Sequence, residues 1–196
     1  MIGAIPAGFL TDSLVLPWSS WAKASLILDQ NTSGSTARVS FYFLWQNPTN
    51  YLAVLNGATT LSANGAVGLD AQPGFLSGGS ASLELHAELN VFVGNVEISW
   101  QQTQKSDIVS LSADGGNVLG LGDVVNRMIS SASDLRCNSI EAAGDQVIVF
   151  EVALVANYAI DDGQISVDFT SDLALLCPVL NIELLTPPPG PPTTPP

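Results

Sequence analysis

The chain reads as an all-β protein: an antiparallel sandwich or barrel of two sheets, about eight core strands, one inserted helix near residues 120–136 and an extended proline-rich C-terminal arm. Three observations predict this. Long runs alternate apolar and polar side chains with period two. Dipeptides that favour tight turns separate them. One segment alone changes to helical spacing.

Arg38 to Gln46 places Val39, Phe41, Phe43 and Trp45 on one parity, and Asn47-Pro48 then stops the run because proline cannot donate to a ladder. Ala81 to Val93 puts Leu83, Leu85, Ala87, Leu89, Val91 and Val93 opposite Glu84, His86, Glu88 and Asn90. Gln146 to Ile160 carries Ile148, Phe150, Val152, Leu154, Ala156, Tyr158 and Ile160 together, with Glu151 and Asn157 on its other, mixed face. Shorter strands are expected at 24–29, 51–55, 67–70, 96–101, 108–111 and 173–184, the last interrupted at Pro178. Asn56-Gly57, Asn64-Gly65, Asp114-Gly115 and Asp162-Gly163 supply residues that tolerate positive φ, and each predicts a turn. Asp162-Gly163 predicts a hairpin between the strand ending near Ile160 and the run Ile165, Val167, Phe169.

Leu121, Val124, Val125, Met128, Ile129 and Ala132 follow the i, i+3, i+4, i+7 spacing of an amphipathic helix over Gly122 to Leu135. Asp123 at its start and Arg136 at its end suit the helix dipole. Residues 186–196, TPPPGPPTTPP, favour polyproline II and predict an arm laid over a neighbouring subunit, with Thr186, Pro187, Pro188, Pro189, Pro191 and Pro192 at the interface. The expected organisation is an N-terminal arm over 1–22, the sandwich over 23–185 and the C-terminal arm over 186–196.

The 196 residues are 46% hydrophobic and 12% charged, with net charge −13. A soluble domain usually carries roughly 25% charged residues, so much of this exterior is apolar or merely polar. The five cations, Lys23, Arg38, Lys105, Arg127 and Arg136, are scattered, which argues against direct nucleic-acid binding. Met1 to Trp18 lacks the basic start of a secretory signal, and Pro6, Asp12 and Pro17 interrupt it. No run reaches the roughly 18 apolar residues of a membrane helix; Val147 to Ile160 is broken by Glu151 and Asn157. Cys137 and Cys177 form no CxxC motif and read first as two separate buried thiols, with a disulfide as the alternative.

No motif for catalysis emerges. The one histidine, His86, shares a strand face with Glu84 and Glu88 at about 7 Å spacing, a row that offers metal or acid-base candidates. Same-face strand neighbours point in parallel, so a solvated or subunit-facing polar strip is the favoured reading. At a subunit interface, a histidine such as His86 would make assembly pH-sensitive. Asp161, Asp162, Asp168 and Asp172 surround a predicted hairpin and are candidates for Ca²⁺, although their spacing is not that of an EF-hand; turn and surface carboxylates are the simpler account. Gly115-Gly116 and Gly120-x-Gly122 lack the rest of a phosphate-binding loop. Trp18, Trp21, Trp45 and Trp100 could stack on sugars, but Trp45 and Trp100 share parity with core residues and are expected to pack inside.

The alternating strands, the turns, the segment Gly122 to Leu135 and the arm Thr186 to Pro196 together resemble the single jelly-roll coat proteins of icosahedral viruses. The resemblance is one of architecture. It implies two four-stranded sheets, interfaces along the barrel sides and a structural, non-enzymatic role in a virion made in the host cytoplasm. Partners would be copies of the chain, other shell proteins and a host-surface glycan. The chain departs from coat proteins that carry a basic N-terminal arm, so genome packaging is not expected of it. A carbohydrate-binding β-sandwich module, adhesin- or lectin-like and extracellular, is the alternative. Scarcity of charge favours the assembly reading, because interface cores are depleted in charged residues.

Overall fold

The computed structural model describes residues 12–16, 20–74, 78–94, 99–116, 122–171 and 174–185. Among these run eleven strands and no helix: β1 (Asp12–Leu16), β2 (Trp21–Leu28), β3 (Thr32–Gln46), β4 (Ala53–Ala71), β5 (Ser80–Gly94), β6 (Ser99–Asp114), β7 (Asp123–Ala142), β8 (Val147–Asp161), β9 (Gly163–Phe169), β10 (Leu175–Leu176) and β11 (Leu180–Leu184).

Their pairing is nested. β5 pairs antiparallel with β6, β4 with β7, β3 with β8 and β2 with β9, so each pair encloses the next in sequence. The result is one long double ribbon rolled on itself, closed sideways by β5 against β8 and β4 against β9. Rolling separates consecutive pairs into two antiparallel sheets, β3-β8-β5-β6 and a larger sheet built on β2-β9-β4-β7. β1 extends the larger sheet at β2. β9, β10 and β11 run in turn along one side of β4, meeting Ala66–Ala71, Ser62–Ala63 and Leu55–Thr59. The break between β10 and β11 falls at Pro178, as the sequence predicts, because proline lacks the donor a ladder needs.

The inward faces of the sheets form one core. Phe41, Leu61, Leu83, Leu89, Leu135, Phe150 and Phe169 are fully buried in it. Truncating an aromatic side chain in such a core, as in Phe150→Ala, costs about 3–5 kcal/mol.

Three expectations fail here for physical reasons. Residues 123–142 form strand β7 rather than a helix, because β4 offers a partner along the whole segment, from Ala53 opposite Ala142 to Ala71 opposite Asp123. Ile129, Ser133, Leu135 and Cys137 face the core at period two. Serines at inward positions blur that period in the sequence, and Val124 and Met128, exposed on the outer face, complete a false helical stripe. Asn56-Gly57 and Asn64-Gly65 are not turns but lie within β4. Glycine is needed there for close approach: a Cβ on Gly65 would lie 2.2 Å from the Asp168 carbonyl oxygen, and one on Gly57 would lie 2.7 Å from Cys137 Sγ.

Asp162-Gly163 does link β8 to β9, with Asp162 at φ 52°. These strands belong to different sheets, so the link is a corner and not a hairpin. Asp114 ends β6 as expected. Within the expected N-terminal arm, residues 12–16 and 21–22 pair as strands of the larger sheet. Residues 1–11 and 17–19 of that arm, Trp18 among them, together with Asp172 and the C-terminal arm 186–196, lie outside the described residues.

Candidate functional site

The outer face of the four-stranded sheet gathers most of the chain's unusual polar chemistry. Register sets its rows. Tyr42, Glu151, Asn90 and Thr103 lie side by side across β3, β8, β5 and β6. The next row is Ser40, Ala153, Glu88 and Lys105, and the one after it Arg38, Val155, His86 and Asp107. On the opposite side of the first row stand Leu44, Val149, Phe92 and Trp100.

Two irregularities in β6 build this face. Register shifts fall between Leu85 and His86 and between Val91 and Phe92, where β6 carries Ile108 and Gln101 as extra residues. Each extra residue reverses which face the following side chains take. The first brings Lys105 and Thr103 opposite Glu88 and Asn90 on the outer face. The second does the same for Trp100, which is 60% exposed. The expectation that Trp100 packs in the core is thereby overturned, whereas Trp45 does pack against it.

Glu151 accepts hydrogen bonds from Ser40 Oγ at 2.7 Å, Tyr42 OH at 3.0 Å and Asn90 Nδ2 at 3.0 Å. Glu88 lies 2.9 Å from Arg38 Nη2, 3.0 Å from Lys105 Nζ and 2.9 Å from His86 Nε2. Asn90 also reaches Glu88 at 3.4 Å, and Arg38 Nη2 stands 3.6 Å from Glu151. The carboxylates are only 8% and 6% exposed, a burial that charge tolerates when it is paired and fully hydrogen-bonded. Burial pushes the Glu88 carboxyl up, but the bonds from Lys105, His86 and Asn90 and the Lys105 charge outweigh it and hold the group below its usual range. Tyr42 is pushed up by burial, by the Glu151 charge and by its bond to that carboxylate. Arg38 Nε is buried without a hydrogen-bond partner.

A chain of bonds ties Trp100 to this floor. Its indole N–H donates to Thr103 Oγ1 at 2.8 Å, and Thr103 donates to Asn90 Oδ1 at 2.5 Å. The ring is thus fixed in orientation while remaining open to solvent.

The predicted row Glu84, His86 and Glu88 does share one face, but it is not a solvated strip. His86 and Glu88 are buried in the network, and Glu84 is exposed beyond it. The aspartates do not converge. Asp161 accepts from Asn31 Nδ2, the Asp162 amide donates to Asn31 Oδ1, and Asp168 is held by Thr170 on the other sheet. Among the described residues no three His, Cys, Asp or Glu side chains form a metal-sized group. Both cysteines are free and buried. No described helix is long and apolar enough to cross a membrane. Residue spacing alone does not join Arg38, Tyr42, Asn90, Lys105 and Glu151 into one site, because their shared face depends on register and on the two extra residues of β6.

No family model matches the chain, and no curated protein matches it. Among solved structures it is similar to TmCBM61, determined in complex with beta-1,4-galactotriose, at 11% identity over 78% of this chain and 79% of that one, with a TM-score of 0.26. It is also similar to the infectious bursal disease virus Gt strain structure, at 13% identity, 80% and 42% coverage and a TM-score of 0.13. The Gx strain structure gives 16% identity, 82% and 46% coverage and a TM-score of 0.12. The chain spans less than half the length of these viral chains.

Proposed function

We propose that the chain is a carbohydrate-binding β-sandwich whose ligand lies on the outer face of the four-stranded sheet, held without being chemically altered. The observation that carries this reading is Trp100, an exposed indole locked by Thr103 at the margin of a floor of paired polar side chains. A sugar offers an apolar C–H face to such a ring and hydroxyls to the polar groups beside it, and a pre-fixed ring loses little entropy on binding. The antiparallel two-sheet sandwich is compatible with this reading and with the second one below, since lectin domains and viral capsids are both built on such sheets.

Binding to immobilised glycans, followed by calorimetry, tests it. The native chain should bind, and Trp100→Ala should lose on the order of five- to 150-fold in affinity with an unchanged urea midpoint, the range that corresponds to the 1–3 kcal/mol of a planar ligand stacked on an aromatic ring, as for bases. No binding across neutral and acidic glycans, or full affinity in Trp100→Ala, overturns it.

A second reading, self-association as a shell subunit, is favoured by the opposite sheet. There Met128 is 77% exposed and Ile27 55%, both lining a shallow depression of about 570 Å³ with Ala66, Gly68 and Asn126. Such a subunit would sit in a virion, with copies of itself and other shell proteins as partners and residues 186–196 as a strap. Light scattering after size exclusion discriminates: Met128→Lys or deletion of 187–196 should dissociate an oligomer, and a monomer at high concentration removes this reading.

A further inference from the structure

Resting on the carbohydrate-binding reading, we infer that the ligand is a long, neutral oligosaccharide chain bound along the sheet, with a second subsite at the far end of the face from Trp100. At that end two depressions adjoin, one of about 410 Å³ and one of about 540 Å³, sharing Ser82 and Ser112 in their linings. The first is walled by Thr36, Glu84, Ser110 and Asn157, the second by Thr32, Ser80, Asp114 and Asp161. Exposed hydroxyls, amides and carboxylates of this kind match the alternating donors and acceptors of sugar hydroxyls. Thr36 Oγ1 donates to Asn157 Oδ1 at 2.8 Å, which fixes the amide and leaves its N–H₂ group as donor.

Phe92, which pairs with Trp100, and Glu84, which pairs with Asn157, are eight residues apart on β5. At the strand rise this separates the subsites by about 26 Å, longer than any mono- or disaccharide. Between them the outer positions of β8 are Glu151, Ala153 and Val155, all buried, so the interior of a bound chain crosses the paired polar network rather than an open cleft. Charge selects neutrality. The face holds Arg38 and Lys105 against Glu84, Glu88, Asp107, Asp114, Glu151 and Asp161, and both cations are already bonded to Glu88. A uronate or sulfate would meet repulsion and have to compete with buried Glu88 for Arg38 or Lys105.

The test is calorimetric titration of the full chain with neutral β-linked hexose oligosaccharides, from disaccharide to octasaccharide, and with polygalacturonate as the anionic arm. Affinity should rise on the order of a hundredfold once the ligand spans both subsites. Asn157→Ala should remove most of that gain while leaving disaccharide affinity and the urea midpoint unchanged. Affinity independent of length, an Asn157→Ala variant indistinguishable on the octasaccharide, or preference for polygalacturonate overturns the inference while leaving carbohydrate binding intact. Absence of binding to every probe overturns the reading beneath it.

Discussion

Asn90 donates to Glu151 at 3.0 Å from the neighbouring strand, and through this bond the exposed Trp100 is coupled to the buried half of the polar network. Removing the amide leaves Glu151 short of one donor and Thr103 without its acceptor. Asn90→Ala should therefore cost about 1–3 kcal/mol, read as a lower urea midpoint, and should loosen Trp100, read as a fall in tryptophan fluorescence anisotropy. An unchanged midpoint would show that water replaces the amide without loss.

Acid should act on the fold through Glu88. Its folded-state pKa is held below the ordinary 4.5, so the ionised form is favoured by folding. The resulting stability is present above that ordinary value and is lost as pH falls through the lower folded one. Urea midpoints measured from neutral pH downward should decline in that window. Glu88→Gln should lower stability near neutrality, since Arg38 and Lys105 lose their counter-charge, and should flatten the acid decline. A variant with the native acid profile would assign the decline to other carboxylates.

Much of this architecture is legible in the chain because three strands obey period two without exception on their buried side: Val39 to Trp45, Leu83 to Val93 and Ile148 to Ile160. β7 is hidden because Ser131 and Ser133 occupy its inward positions, and its strand conformation is dictated by β4 rather than by its own pattern. The Asn-Gly pairs mislead since glycine serves close packing as readily as a turn. In the candidate site, Glu84, His86 and Glu88 announce a shared face from spacing alone. Lys105, Thr103 and Trp100 do not, because the extra residues Ile108 and Gln101 each reverse parity, and such bulges leave no reliable mark in sequence.

β4 running straight through Asn64-Gly65 makes a specific demand. A methyl group at Gly65 would collide with the Asp168 carbonyl and the ring of Phe169, at 2.2 Å and 2.5 Å. Gly65→Ala should then destabilise by overpacking, about 1–3 kcal/mol, with the midpoint of thermal unfolding falling accordingly.

Cys137 and Cys177 flank β4 on its buried side, the first against Gly57 and the second with Sγ 3.3 Å from Thr59 Oγ1. Burial pushes both thiols up, Cys177 to about 11, so neither yields much thiolate at mildly alkaline pH. A thiol reagent should leave both unmodified in the native chain and titrate two thiols once the protein is unfolded in denaturant without reductant. Fast labelling of the native state at Cys177 would mean that the β10–β11 region opens on the timescale of the reagent, and at Cys137 that β7 does. Two thiols missing after unfolding would mean that the cysteines had joined in a disulfide, which would require β4's neighbours to shift from the arrangement described here.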